Sequence, residues 1–169
     1  MLLPSKFSGG NKNLKSQMRF IKLGIISIVM IFLLFTGMSL FIPSHVRISR
    51  AINLASTSEK IMTELNDTSQ WRNWYPGFDE MQKAGTNISI TEKKENEISV
   101  EFNSPGKKII TSTWQTIPYT HQSDSVTLQW YLHFKLRWYP WEKLGSLLYE
   151  KSYGQQMETG LQNLKNRVQ

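Results

Sequence analysis

Residues 124–138 read DSVTLQWYLHFKLRW. The even positions are Val126, Leu128, Trp130, Leu132, Phe134, Leu136 and Trp138, and the odd ones Thr127, Gln129, Tyr131, His133, Lys135 and Arg137. A period of two held this long means an extended chain with one face buried and one solvated. At about 3.3 Å per residue the run spans some 40 Å, long enough for a small domain that the strand must twist or bend.

The flanks supply what the strand packs on. Pro140 closes it, and residues 142–168 read as one long helix. Leu144, Leu147 and Leu148, then Met157, Leu161, Leu164 and Val168, recur at spacings of three and four. Gly154 lies near that stripe, where a glycine permits either a close approach to the sheet or a kink. Upstream, residues 86–93, 96–103 and 107–117 read as three further strands, separated by the polar breaks Lys94-Glu95-Asn96 and Ser104-Pro105-Gly106. Residues 44–54 form another, with Val46, Ile48, Ile52 and Leu54 on one parity; Arg50 interrupts it and predicts a bulge or a rim. Ser56-Thr57-Ser58-Glu59 matches a capping box, so a short helix follows with Ile61, Met62 and Leu65 inward. In the aromatic segment 70–78, QWRNWYPGF, one helical turn would put Trp71 and Trp74 on one side.

A strand, short helices, a run of antiparallel strands and a closing amphipathic helix define an α+β domain over residues 44–169. A curved antiparallel sheet wrapped on the last helix buries both apolar faces.

Ahead of the domain lies Leu23–Ile42, LGIISIVMIFLLFTGMSLFI, which holds no charge. Such a helix is about 30 Å long, the thickness of a bilayer's hydrocarbon core. A core helix would keep a polar face. A cleaved signal would have a shorter apolar run and a small-residue exit, not Leu40-Phe41-Ile42-Pro43. The segment therefore reads as an uncleaved transmembrane helix. Ser27, Thr36 and Ser39 can return their hydroxyls to its own carbonyls, and Pro43 ends it.

The chain carries +7, and the charge is uneven. The arm, residues 1–22, holds five of the 20 Lys and Arg and no acid, leaving 15 against 13 acids, a net +2, for the domain. A basic arm abutting an apolar run is a topology signal, not a nucleic-acid arm. It keeps the N-terminus cytoplasmic and puts the domain outside. The absence of Cys excludes disulfides, thiolate catalysis and Cys-based metal sites.

Four stretches carry a resemblance to the helix-grip fold of the SRPBCC superfamily, which includes START-like and polyketide cyclase-like domains. They are VRISRAINLASTSEKIMTEL, the segment Trp71-Arg72-Asn73-Trp74-Tyr75-Pro76, which is similar to a W-x-x-W-x-P pattern, VTLQWYLHF, and YGQQMETGLQNLK. Together they cover most of residues 46–166, and the specific resemblance is to a bacterial branch with an N-terminal membrane helix. This implies an apolar pocket between sheet and helix and a place in the bacterial cytoplasmic membrane. Typical members have a longer Gly-rich stretch after the tryptophan segment; here about a dozen residues separate Pro76 from Ile88, which implies a shorter sheet.

No catalytic constellation is visible. His45, His121 and His133 are scattered, and His133 sits on the polar parity of its strand. Asp79 and Glu80 are adjacent, so their side chains diverge. No cofactor and no metal is expected. The six tryptophans are unusual. They can be core and rim, or the wall of a cavity. The cavity reading names Trp74, Trp114, Trp130, Leu132, Phe134, Met157 and Leu161 as ligand-binding. Trp138, Tyr139 and Trp141, beside Arg137 and Lys143, could instead touch a lipid interface. The functional expectation is a membrane-tethered domain holding a hydrophobic small molecule or lipid; the alternative is a non-catalytic envelope interaction protein with a filled core.

Overall fold

A computed structural model describes residues 10–118 and 125–169. The first nine residues of the basic arm, His121 and the expected strand start at Asp124 lie outside the described residues, as do the side chains of Lys12 and Lys15.

The predicted central strand is β5 (Val126–Lys135). Its even side chains, from Val126 to Phe134, are at most 4% exposed, while Thr127, Gln129, Tyr131 and His133 are half-buried on the other face. It lies between β1 (His45–Leu54) and β4 (Ile110–Pro118), and β3 (Glu97–Asn103) and β2 (Asn87–Lys93) complete the sheet in the order β1-β5-β4-β3-β2. All neighbours are antiparallel. The sheet has five strands and two free edges, in keeping with the short connection after Pro76. β2 is the poorer edge: only Ile88 is half-buried, Ile90 is 43% exposed, and the register slips between Ile90 and Glu92.

The closing helix is α5 (Tyr149–Val168), with Met157, Leu161, Leu164 and Val168 buried on the sheet. The stripe does not run back to Leu144 as one helix. A separate helix α4 (Pro140–Ser146) precedes it, and the chain changes direction at Leu147-Leu148, which are 66% and 67% exposed. There the amides of Leu147 and Leu148 donate to Leu144 and Gly145, a three-residue spacing that tightens the turn and ends α4. The parity of β5 likewise continues only to Leu136; Trp138 is 71% exposed, because the chain has already left the sheet for α4.

The short helices α2 (Ser58–Asn66) and α3 (Phe78–Lys83), with a 3₁₀ turn at Thr68–Asn73 between them, close one end of the core. The cap of α2 lies one residue later than its sequence predicts: Thr57, not Ser56, accepts the amide of Lys60, and the Ser56 hydroxyl is buried without a protein partner. The 3₁₀ turn brings the Trp71 and Trp74 rings to 5.6 Å.

Helix α1 (Gly10–Leu40) stands apart. Its segment Gln17–Leu40 is long and apolar enough to cross a membrane, and almost none of it is covered by the rest of the chain, unlike a core helix. Thr36 and Ser39 donate to the carbonyls of Phe32 and Thr36, the self-satisfaction that an apolar medium demands. Its last turn rests on α4.

Candidate functional site

The strand registers align side chains in rows across the concave face. Val46, Phe134, Ile110, Phe102 and Ile88 form one row, at the end of the sheet where the chain arrives from α1. Two residues back along β5, Ile48, Leu132, Ser112 and Val100 form the next, and Trp130, Trp114 and Ile98 belong to the third.

The space between sheet and α5 divides at that third row. Beyond it, tryptophans fill the interior. Trp114 stacks on Trp130 at 5.3 Å, Trp71 meets Trp114 edge-on at 5.1 Å, and Trp74 meets Trp114 edge-on at 6.2 Å. Trp71, Trp74, Trp114 and Trp130 are each at most 1% exposed. Trp130 donates to Ser112 Oγ at 2.6 Å and Trp71 to the Leu65 carbonyl at 3.0 Å. The indole N–H groups of Trp74 and Trp114 reach no acceptor among the described residues, a local cost borne for ring packing. Gly160 makes this contact possible: a Cβ there would lie 2.9 Å from Trp130 and 3.0 Å from Pro76.

On the near side of the row a cleft of about 480 Å³ remains. Its floor is Trp130 and Leu132 of β5 with Phe102 and Ile110. Tyr153, Gln156 and Met157 of α5 roof it, and Tyr75, Pro76, Gly77 and Met81 form a side wall. Gly77, at φ +75°, turns the chain sharply from Pro76 into α3 and so places Met81 beside the cleft. Ser104, Lys107, Lys108 and Glu80 supply the polar groups. The lining is mainly apolar, and the volume suits a small molecule or part of a lipid.

The two phenols of the wall are held protonated. Burial, then the neighbouring Tyr153, pushes the Tyr75 phenol well above its usual range, and burial, then Tyr149, raises Tyr153. Burial and then Arg137 push the Lys108 pKa down, and the geometry pairs Lys108 with Glu142.

Of the residues expected to bind ligand, Trp130, Leu132 and Met157 line this cleft. Trp74, Trp114, Phe134 and Leu161 sit in packed core, at 1%, 0%, 4% and 2% exposure. Several lining residues escaped the sequence reading. Phe102 and Ile110 carried a signal, since they share a row with Phe134, and Tyr153 lies one turn before Met157. Met81 carried none and Pro76 stood out only within the W-x-x-W-x-P segment, because only tertiary packing brings them to the cleft.

His133 lies on the convex face beside Arg47 and outside the cleft; burial and then Arg47 lower its pKa. Among the described residues no three of His, Asp and Glu gather as a metal site would require.

Known structures share this architecture. A START superfamily protein from Mycobacterium smegmatis superposes with a TM-score of 0.54 at 17% identity, covering 72% of this chain and 96% of its own. A hypothetical protein from Helicobacter pylori gives 0.51 at 12% identity, over 73% and 88%. CalU16 from Micromonospora echinospora gives 0.50 at 10% identity, over 74% and 83%. No protein-family model and no curated protein matches the sequence. At these identities the likeness establishes the fold alone: the chain has a START-like helix-grip architecture, preceded by one apolar helix long enough to span a membrane.

Proposed function

We propose that this protein is a single-pass membrane protein of the bacterial cytoplasmic membrane whose START-like domain binds a hydrophobic small molecule or a lipid segment between β5 and α5. The carrying observation is the apolar cleft of about 480 Å³ over Trp130, Leu132 and Met157. Burial of apolar surface supplies the affinity, and Lys107 at its polar part offers charge to a headgroup. The basic residues ahead of the apolar run of α1 keep the N-terminus in the cytoplasm and the domain on the far side.

The test uses the full chain in lipid nanodiscs and a fluorescent fatty-acid analogue. Saturable binding is expected, with displacement by unlabelled fatty acid. At a hundredfold excess over Kd the ligand should add about 2.7 kcal/mol of stability, visible as a higher Tm. Gln156→Phe, an exposed position that lines the cleft, should weaken binding and leave the fold intact. Absence of saturable binding across fatty acids, sterols and polyprenols would sink the ligand reading.

A second reading, a non-catalytic interaction protein, draws on the tryptophan-filled half of the interior. It expects no ligand and a stable partner recovered by crosslinking in intact membranes.

A further inference from the structure

Helix α4 is inside out. Its buried side chains include Lys143 at 8% and Ser146 at 5% exposure, while Trp141 is 65% exposed. Around it Trp138, Leu147 and Leu148 are 71%, 66% and 67% exposed. Leu147 and Leu148 stand at the turn that ends α4, next to the exposed face of the helix. Tyr139 stacks on Trp141 at 5.0 Å and packs on Trp138 at 4.9 Å. An apolar cluster turned outward over polar groups turned inward suits an apolar surrounding, not water.

The location says which surrounding. Lys143 Nζ donates to the Ile42 carbonyl at 3.0 Å, and α4 packs on the last turn of α1. Ile42 is the final residue of the uncharged run, so α4 lies level with the end of the span. Tryptophan and tyrosine favour that depth in a bilayer. Arg137 precedes the cluster and Lys151 follows Leu147 by four residues; both are exposed, and neither has an ion-pair partner among the described residues. They suit anionic headgroups.

We infer that Trp138, Trp141, Leu147 and Leu148 seat α4 in the lipid–water interface of the membrane that α1 spans. This rests on the anchored reading above. Glu142 of α4 pairs with Lys108 in the cleft lining, and the Ile110–Phe134 row lies at the same end of the sheet as the exit from α1. Docking α4 therefore holds the cleft at the bilayer surface, where a lipid tail can enter without crossing water.

The other four tryptophans are at most 1% exposed, so quenching by aqueous iodide reports on Trp138 and Trp141, and a Trp138→Phe, Trp141→Phe variant separates their bromolipid quenching from that of Trp130 on the cleft floor. The full chain is reconstituted into phosphatidylcholine–phosphatidylglycerol vesicles, with and without acyl-brominated lipid. Strong quenching by brominated lipid and weak quenching by aqueous iodide are expected. Leu147→Ser with Leu148→Ser, both at exposed positions, should raise iodide quenching several-fold with unchanged far-UV circular dichroism. Vesicle-bound protein whose indoles iodide quenches as freely as tryptophan in water would overturn the docking and leave the anchor standing. Indoles shielded from both quenchers would mean that protein, such as a second copy, covers α4, and would also overturn it. A chain left in the supernatant after carbonate washing would overturn anchor and docking together.

Discussion

Gly160 and Gly145 are both helical glycines, and they should respond in opposite ways to the same substitution. Gly145 meets nothing within 4 Å, whereas a Cβ on Gly160 would strike Trp130 and Pro76, neither of which can swing aside. Alanine adds up to about 1 kcal/mol of helix propensity at either site. At Gly160 the overpacking costs about 1–3 kcal/mol and prevails. Urea melts should show Gly160→Ala destabilised and Gly145→Ala unchanged or stabilised. His133 yields a pH prediction. Its pKa is lowered in the fold, so the unfolded chain binds the proton more readily. Stability is therefore full above the usual histidine value near 6.5 and falls as pH drops from there through the lowered folded value. His133→Gln should flatten that part of the pH–stability curve; an unchanged curve would show that His133 does not couple to folding.

Between elements, the contact of β1 with α5 turns on one arginine. Arg50 shares the inward parity of its strand and reaches over the sheet edge to Glu150 at 2.7 Å and Glu158 at 2.6 Å. Those partners, through hydrogen bonds first, raise its pKa further, so it stays charged. The interruption in the strand pattern is thus a rim position: the register with β5 runs unbroken through Arg50–Trp130. Gly154 is its counterpart, for a Cβ there would lie 2.3 Å from Arg50 Nη2. The glycine admits the guanidinium, which answers whether it serves close approach or a kink. A double-mutant cycle should find the two positions coupled by about 1 kcal/mol. Gly154→Ala should gain less stability in the native chain, where it displaces the guanidinium from its carboxylates, than the helix propensity alone would give. In an Arg50→Ala background it should stabilise, through helix propensity alone. Additive effects in denaturant melts would argue against the clamp.

At the scale of the whole molecule, α1 and the domain are joined mainly through α4. The core draws on β1, β3, β4, β5, α2, α3, α5 and the 3₁₀ turn with Trp71, and none of its buried residues comes from α1. Deleting residues 1–42 should therefore release the domain from the membrane pellet to the supernatant with its near-UV circular dichroism retained. Loss of that signal would mean that the helix also supports the core.

Local periodicity marked β5, the second half of α5 and the apolar run of α1, because each repeats one choice, apolar or polar, many times over. It recorded which side of an element avoids water. It did not record what covers that side, so Leu147, Leu148 and Trp138 read like core residues and stand outside it. The break between α4 and α5, the division of the interior into tryptophan-filled core and open cleft, and the place of α4 beside Ile42 depend on contacts between residues far apart in the chain. Those contacts follow from volume and distance among neighbours that only the folded chain brings together.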